Sequence, residues 1–149
     1  MEYYQKCPDA VARIRGGEAA TQLRGCAAFY QESGCVRIVA RISGLPRESK
    51  TGFFAFHIHQ GESCSGTDFS ETGGHYNPDN QAHPKHPGDL PPLLECRGNA
   101  YLSVKTDRFR VKDIIGRAVV IHSDPDDFRT QPAGNAGKKI ACGVIRKGI

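Results

Sequence analysis

The stretch Phe54-Ala55-Phe56-His57-Ile58-His59 decides the fold that this sequence predicts. Bulky apolar residues occupy every second position, and two of the positions between them are histidines. Successive side chains of a β-strand point to opposite faces, so both imidazoles should lie on one face while the apolar residues enter a core. The stretch therefore predicts a strand of a barrel wall that carries metal-ligating side chains on its outer side.

The histidine content points to metal binding. Five of the six histidines fall between residues 57 and 89. Pro78, Pro84 and Pro87 exclude a long helix from this region, so residues 60–88 are predicted to form a shaped loop. Three imidazoles with one carboxylate suit zinc, and an all-nitrogen set favours copper. The spacing indicates a zinc set of His75, His83, His86 and Asp89 and a copper set containing His57, His59 and His122, with one histidine serving both metals or standing between them.

Length and composition favour one domain, residues 1–149, built from short strands. The chain has no Trp, 17 Gly and 9 Pro, which suits strands joined by turns. The net charge of +4 is modest and spread along the chain, so we expect an ordinary solvated surface and no nucleic-acid partner. A weak positive field would still attract a small anion.

The pattern of apolar residues predicts eight strands, over residues 11–15, 23–30, 36–43, 54–59, 93–95, 100–105, 114–122 and 140–145. Two long loops, 60–88 and 123–137, interrupt them. Eight short strands with two long loops predict an all-β antiparallel sandwich or barrel.

The cysteines and the N-terminus give conflicting indications of the compartment. None of the six cysteines forms a CxxC pair, which argues against zinc-finger and thioredoxin sites. An even number is compatible with disulfides and an oxidising compartment. Residues 1–7 lack the apolar core of a secretory signal, which predicts a cytoplasmic protein unless an upstream signal has been removed, and no run is long enough to span a bilayer.

Several motifs in order resemble those of the copper/zinc superoxide dismutase family, nearly end to end. They are Phe56-His57-Ile58-His59-Gln60-Gly61, Gly73-Gly74-His75-Tyr76-Asn77-Pro78, His86-Pro87-Gly88-Asp89-Leu90-Pro91, the run from Ile114 to His122, and the run from Gly134 to Gly143. The resemblance implies a flattened Greek-key β-barrel and dismutation of superoxide to dioxygen and hydrogen peroxide, in a family known for its sandwich fold and diffusion-limited rates. A homodimer is compatible with it.

The resemblance also implies roles for individual residues. His57, His59, His75 and His122 resemble the copper ligands, and His75, His83, His86 and Asp89 resemble the zinc ligands. His75 would bridge the metals and carry a proton during turnover. Asp126 resembles a carboxylate that hydrogen-bonds one ligand from each set, which would fix the orientation of both rings. Cys64 and Cys142 resemble a disulfide pair.

The chain departs from the family pattern at its active-site cation. The family arginine is replaced by Lys139, a flexible point charge where arginine presents a rigid fork of donors. We expect Lys139 to attract superoxide but to position it less well, and neighbouring Lys138 could share the task. The loops are also short, with two residues between His83 and His86, which would open the copper to solvent.

One rival function follows from these departures, a copper- or zinc-binding storage or delivery protein with low turnover. A third reading is a structural sandwich with vestigial ligands, and the presence of every ligand position argues against it. The remaining cysteines allow either an extra disulfide between Cys7 and Cys35 or four reduced thiols, with Cys26 and Cys96 free in both cases.

Overall fold

The computed structural model describes residues 6–148 and is almost entirely β-structure. Helical structure among these residues is limited to α1 (Val111–Ile114) and two 3-10 segments, Glu18–Ala20 and Thr67–Thr72. The strands are β1 (Ala10–Gly16), β2 (Arg24–Glu32), β3 (Cys35–Ser43), β4 (Phe53–His59), β5 (Asp89–Leu94), β6 (Ala100–Thr106), β7 (Ala118–His122) and β8 (Lys139–Lys147). No helix within residues 6–148 is long and apolar enough to cross a bilayer.

The strands form one antiparallel sheet in the order β5-β4-β7-β8-β1-β2-β3-β6. The edge strands β5 and β6 lie next to each other, so the sheet curls into a nearly closed barrel. Around the closing edge, β4, β5 and β6 follow in sequence and β7 returns beside β4, which is a Greek key. The predicted all-β barrel is confirmed.

The alternation in β4 works as predicted. Phe54, Phe56 and Ile58 lie in the barrel core with at most 1 % of their surface exposed. Because alternate residues face opposite sides, His57 and His59 lie on the outer wall, where loops bury them. The barrel is thus a rigid support for a site built on its outside.

Two predicted strand boundaries are wrong. Residues 114–117 are not part of β7: α1 ends at Ile114, Gly116 adopts a φ of +88°, and the strand begins at Ala118. Ile114 is fully buried, and a short apolar run in a sequence does not distinguish a buried helical turn from a strand, which is why the boundary was misplaced. β5 begins at Asp89, earlier than the predicted residue 93, and includes Pro91 and Pro92, which its position at the sheet edge permits.

The cysteines are arranged as the family resemblance implied. Cys64 and Cys142 form a disulfide, with their Cα atoms 5.8 Å apart, that ties the first long loop to β8. The other cysteines are free thiols, so the alternative Cys7–Cys35 disulfide does not form. The segment carrying Cys7 is held at the end of β2, where Lys6 Nζ donates to the Gln31 carbonyl at 2.9 Å.

Candidate metal centre

Three elements bring the six histidines together on the outer wall of the barrel. β4 supplies His57 and His59, the end of β7 supplies His122, and the loop between β4 and β5 supplies the other three. All six are buried. Their ligand atoms fall into two groups in which every atom lies within 4.8 Å of the others: His57, His59, His75 and His122, and His75, His83, His86 and Asp89. These are the two sets that the sequence indicated, and they share His75.

Asp126 links the two groups. Its Oδ2 accepts a hydrogen bond from His57 Nε2 at 2.8 Å, and its Oδ1 accepts one from His83 Nε2 at 2.8 Å. Since a carboxylate only accepts, both Nε2 atoms carry the proton and both Nδ1 atoms present a lone pair. Neither Nδ1 has a hydrogen-bond partner. Buried nitrogens without partners are costly, and a metal ion would satisfy them.

His59 is oriented by a backbone carbonyl. Its Nδ1 donates to the Gly73 oxygen at 2.8 Å, which leaves Nε2 as its ligand atom. This Nε2 lies 3.1 Å from His122 Nε2. Burial lowers the pKa of both rings, that of His122 to about 3, because the charged form is desolvated and other imidazoles lie close by. Neutral rings with converging nitrogens fit a copper site.

His75 presents one nitrogen to each group. Its Nδ1 lies 2.7 Å from Asp89 Oδ1 and 3.2 Å from His86 Nδ1, while its Nε2 is buried without a partner. His83 Nδ1 approaches the other Asp89 oxygen at 3.0 Å. Three imidazole nitrogens and one carboxylate oxygen therefore converge, which is a donor set that zinc prefers.

Both aspartates remain anionic. Burial raises the pKa of Asp126, but hydrogen bonds from His57, His83 and the Phe128 backbone N–H outweigh it and hold the pKa well below its usual range. For Asp89, burial is likewise outweighed by the hydrogen bond from His75, and its pKa is lowered. Each carboxylate is thus available as a hydrogen-bond acceptor or ligand.

We call His57, His59, His75 and His122 the copper-type group, and His75, His83, His86 and Asp89 the zinc-type group. An open depression of about 650 Å³ gives access to the copper-type group. His59, His75, His122 and Lys139 contribute to its lining, and Lys138 does not. Lys139 Nζ donates to Thr72 Oγ1 at 2.7 Å and to the Gly73 carbonyl at 2.9 Å. Two larger depressions, of about 960 and 920 Å³, lie elsewhere and contain no histidine. Of these three depressions, only the smallest contains histidines.

Three residues that support the site were not identified from the sequence. Gln131 binds both backbone groups of His83, accepting from its N–H at 2.8 Å and donating to its carbonyl at 2.6 Å. Arg108 donates to the carbonyls of Pro84 at 2.8 Å and His86 at 3.2 Å. Both contacts join segments far apart in the sequence, so no local pattern could have revealed them.

The third supporting residue is Gly134. It adopts a φ of +69°, and a Cβ at this position would overlap Asp126 Oδ1 and lie 2.7 Å from His83 Nε2. Gly134 stands in one of the motifs that carry the family resemblance, which was the available signal. Its role is to let the backbone close over the Asp126–His83 hydrogen bond.

Comparison with known proteins agrees with this geometry. The family model described as copper/zinc superoxide dismutase matches residues 23–145. Superoxide dismutase [Cu-Zn] 3 of Arabidopsis thaliana is 37% identical, over 91% of this chain and 88% of the relative. Superoxide dismutase [Cu-Zn] 2 of Aquifex aeolicus is also 37% identical, over 82% and 78%. An extracellular superoxide dismutase [Cu-Zn] of Rattus norvegicus is 33% identical, over 83% of this chain and 55% of its own length. With its barrel, its disulfide and its two histidine groups, this chain belongs to the copper/zinc superoxide dismutase family.

Proposed function

We propose that this protein converts two superoxide ions and two protons into dioxygen and hydrogen peroxide. The observation that carries the proposal is the pair of ligand groups that share His75. We assign copper to His57, His59, His75 and His122, and zinc to His75, His83, His86 and Asp89. Bound copper supplies a one-electron couple that oxidises one superoxide ion to dioxygen and reduces the next to peroxide.

The chain's own residues prepare the site for this chemistry. Asp126 fixes the tautomers of His57 and His83, and the Gly73 carbonyl fixes that of His59. Such hydrogen bonds to the far side of a ligand ring set its orientation and basicity. These three rings are therefore oriented before any metal binds.

His75 is suited to carry a proton. Its Nδ1 is held in the zinc-type group, and its Nε2 belongs to the copper-type group beside the depression. We infer that Nε2, when it does not hold copper, would take up one proton from solvent and donate it to the departing peroxide, whose second proton comes directly from solvent.

Lys139 attracts and positions the substrate. It is the cation that lines the depression together with three of the copper-type histidines. Burial lowers its pKa from the usual value, and a half-buried ammonium acts on a small anion through less screening water than an exposed one. This favours turnover over mere storage of the metal.

Metal analysis combined with a superoxide-decay assay tests the proposal against its rivals. We expect one copper and one zinc per chain and rapid decay of superoxide. Stoichiometric metals with negligible decay would instead identify a storage or delivery protein, and absence of stoichiometric metal would identify a structural sandwich.

The Lys139→Arg variant tests how well the lysine positions the anion. Arginine should raise kcat/KM at low salt because its fork fixes the anion through two donors. Exposed Lys112 lies in a separate depression with Lys147, which is at the opposite end of β8 from Lys139, and offers the matched control Lys112→Arg. No gain in Lys139→Arg over this control would count against the assigned role.

Assembly and compartment are further proposals. We propose a homodimer, which sedimentation at micromolar concentration would detect, and no nucleic-acid or membrane partner. The Cys64–Cys142 disulfide and the extracellular relative favour an extracytoplasmic site over the cytoplasmic one. Fractionation of the source cells distinguishes the two.

A further inference from the structure

Thr72 is a fully buried polar residue at the end of the 3-10 segment Thr67–Thr72. Its Oγ1 donates to the Phe69 carbonyl at 2.7 Å and lies 2.7 Å from Lys139 Nζ. A hydroxyl has one hydrogen, and here the Phe69 carbonyl takes it. The lone pairs of Oγ1 therefore face Lys139 and can only accept from it.

The Lys139 ammonium has three N–H donors, and two of them are occupied. One goes to Thr72 Oγ1 and one to the Gly73 carbonyl. The same carbonyl accepts from His59 Nδ1, so the cation and a copper-type histidine are held at one oxygen. A single N–H remains for a ligand in the depression that Lys139 lines.

We propose that Thr72 is a positioning residue that clamps Lys139 so that the ammonium presents one N–H to superoxide. The inference rests on the proposed function and deepens it. A free lysine would lose rotamer freedom each time it met the substrate, whereas a clamped lysine has lost it already. The Thr72 clamp thus restrains the ammonium, although it presents one N–H to the anion where arginine's fork would present two.

A merely structural Thr72 would only support the Phe69 carbonyl and the turn before Gly73. Two substitutions separate the roles. Thr72→Val keeps the shape and removes the oxygen, and Thr72→Ser keeps the oxygen. Thr51→Val, at an exposed position before β4, is the matched control.

The first readout is independent of activity. In the reduced Cu(I),Zn protein, which is diamagnetic, ¹H–¹⁵N NMR of lysine ammonium groups should show a slowly exchanging signal that disappears in Lys139→Gln. We expect Thr72→Val to lose this signal and Thr72→Ser and Thr51→Val to retain it. Absence of the signal from the unsubstituted protein, or its persistence in Thr72→Val, would overturn the clamp.

The second readout is kcat/KM as a function of ionic strength. Thr72→Val should lower kcat/KM about tenfold, within the loss of up to ~10² that misplacement by ~1 Å causes. Its salt dependence should be unchanged because the charge remains, whereas Lys139→Gln should weaken that dependence. The double variant Thr72→Val/Lys139→Gln should have the same kcat/KM as Lys139→Gln alone, since Thr72 acts through the lysine.

The outcomes distinguish the two proposals. A double variant markedly slower than Lys139→Gln would overturn the positioning role while leaving the dismutase assignment intact. A loaded protein that does not consume superoxide would overturn the function, and the NMR signal would still decide whether Thr72 clamps Lys139.

Discussion

Gly134→Ala should damage both the stability and the metal affinity of this protein. At a φ of +69° an alanine costs about 1–2 kcal/mol in backbone strain alone. The new Cβ would also displace Asp126 from His83, breaking a hydrogen bond to a charged group worth about 1.5–3 kcal/mol. The metal-free protein should therefore lose about 2.5–5 kcal/mol of unfolding free energy in urea. Because Asp126 orients His57 and His83, copper and zinc affinities should fall about 10- to 100-fold in competition titrations.

Gly34 provides the matched control. It has a similar φ, +78°, but a Cβ there would meet no atom within 4 Å. Gly34→Ala should therefore cost only the backbone strain, about 1–2 kcal/mol, and leave both metal affinities unchanged. If Gly134→Ala and Gly34→Ala behaved alike, the claim that Asp126 couples the two metal groups would be refuted.

Three further predictions test other parts of the structure. The pKa of His122 is lowered to about 3, so below its ordinary value of 6.5 the unfolded chain binds a proton that the folded metal-free protein does not. As the pH falls from ~6 to ~4, the free energy of urea unfolding of the metal-free protein should thus decrease by about 1.4 kcal/mol per pH unit because of His122. An unfolding free energy that does not change with pH over this range would contradict burial of His122 in its neutral form. Cys142→Ser should cost about 4.5 kcal/mol, because the disulfide joins residues 78 apart, and the exposed Cys96→Ser control should change stability by less than ~0.5 kcal/mol. Gln131→Met should cost about 2 kcal/mol and weaken zinc binding, measured by chelator competition, because both backbone bonds to His83 are lost; unaltered zinc affinity would exclude that role.

The features that could be predicted from the sequence depend on local patterns. Alternation in residues 54–59 assigned Phe56 to the core and His57 to the outer wall, because a strand has a period of two. The spacing from His83 through His86 to Asp89, in a segment rich in proline, indicated a loop that gathers ligands. Neither inference needed a contact between distant segments.

The features that were missed depend on distant contacts or on ambiguous patterns. Lys139 meets Thr72 across 67 residues, and Gln131 meets His83 across 48, so no window of the sequence contains both partners. The boundary before Ala118 was misplaced because Ile114 is apolar and buried in a helical turn as it would be in a strand. The ring tautomers of His57 and His83 likewise depend on Asp126, which only folding brings beside these histidines.

Anomalous diffraction at the copper and zinc absorption edges of metal-loaded crystals would locate both metals. We expect one copper peak bound by His57, His59, His75 and His122, and one zinc peak bound by His75, His83, His86 and Asp89. Peaks elsewhere on the barrel, or two metals of which only one contacts His75, would contradict this expectation.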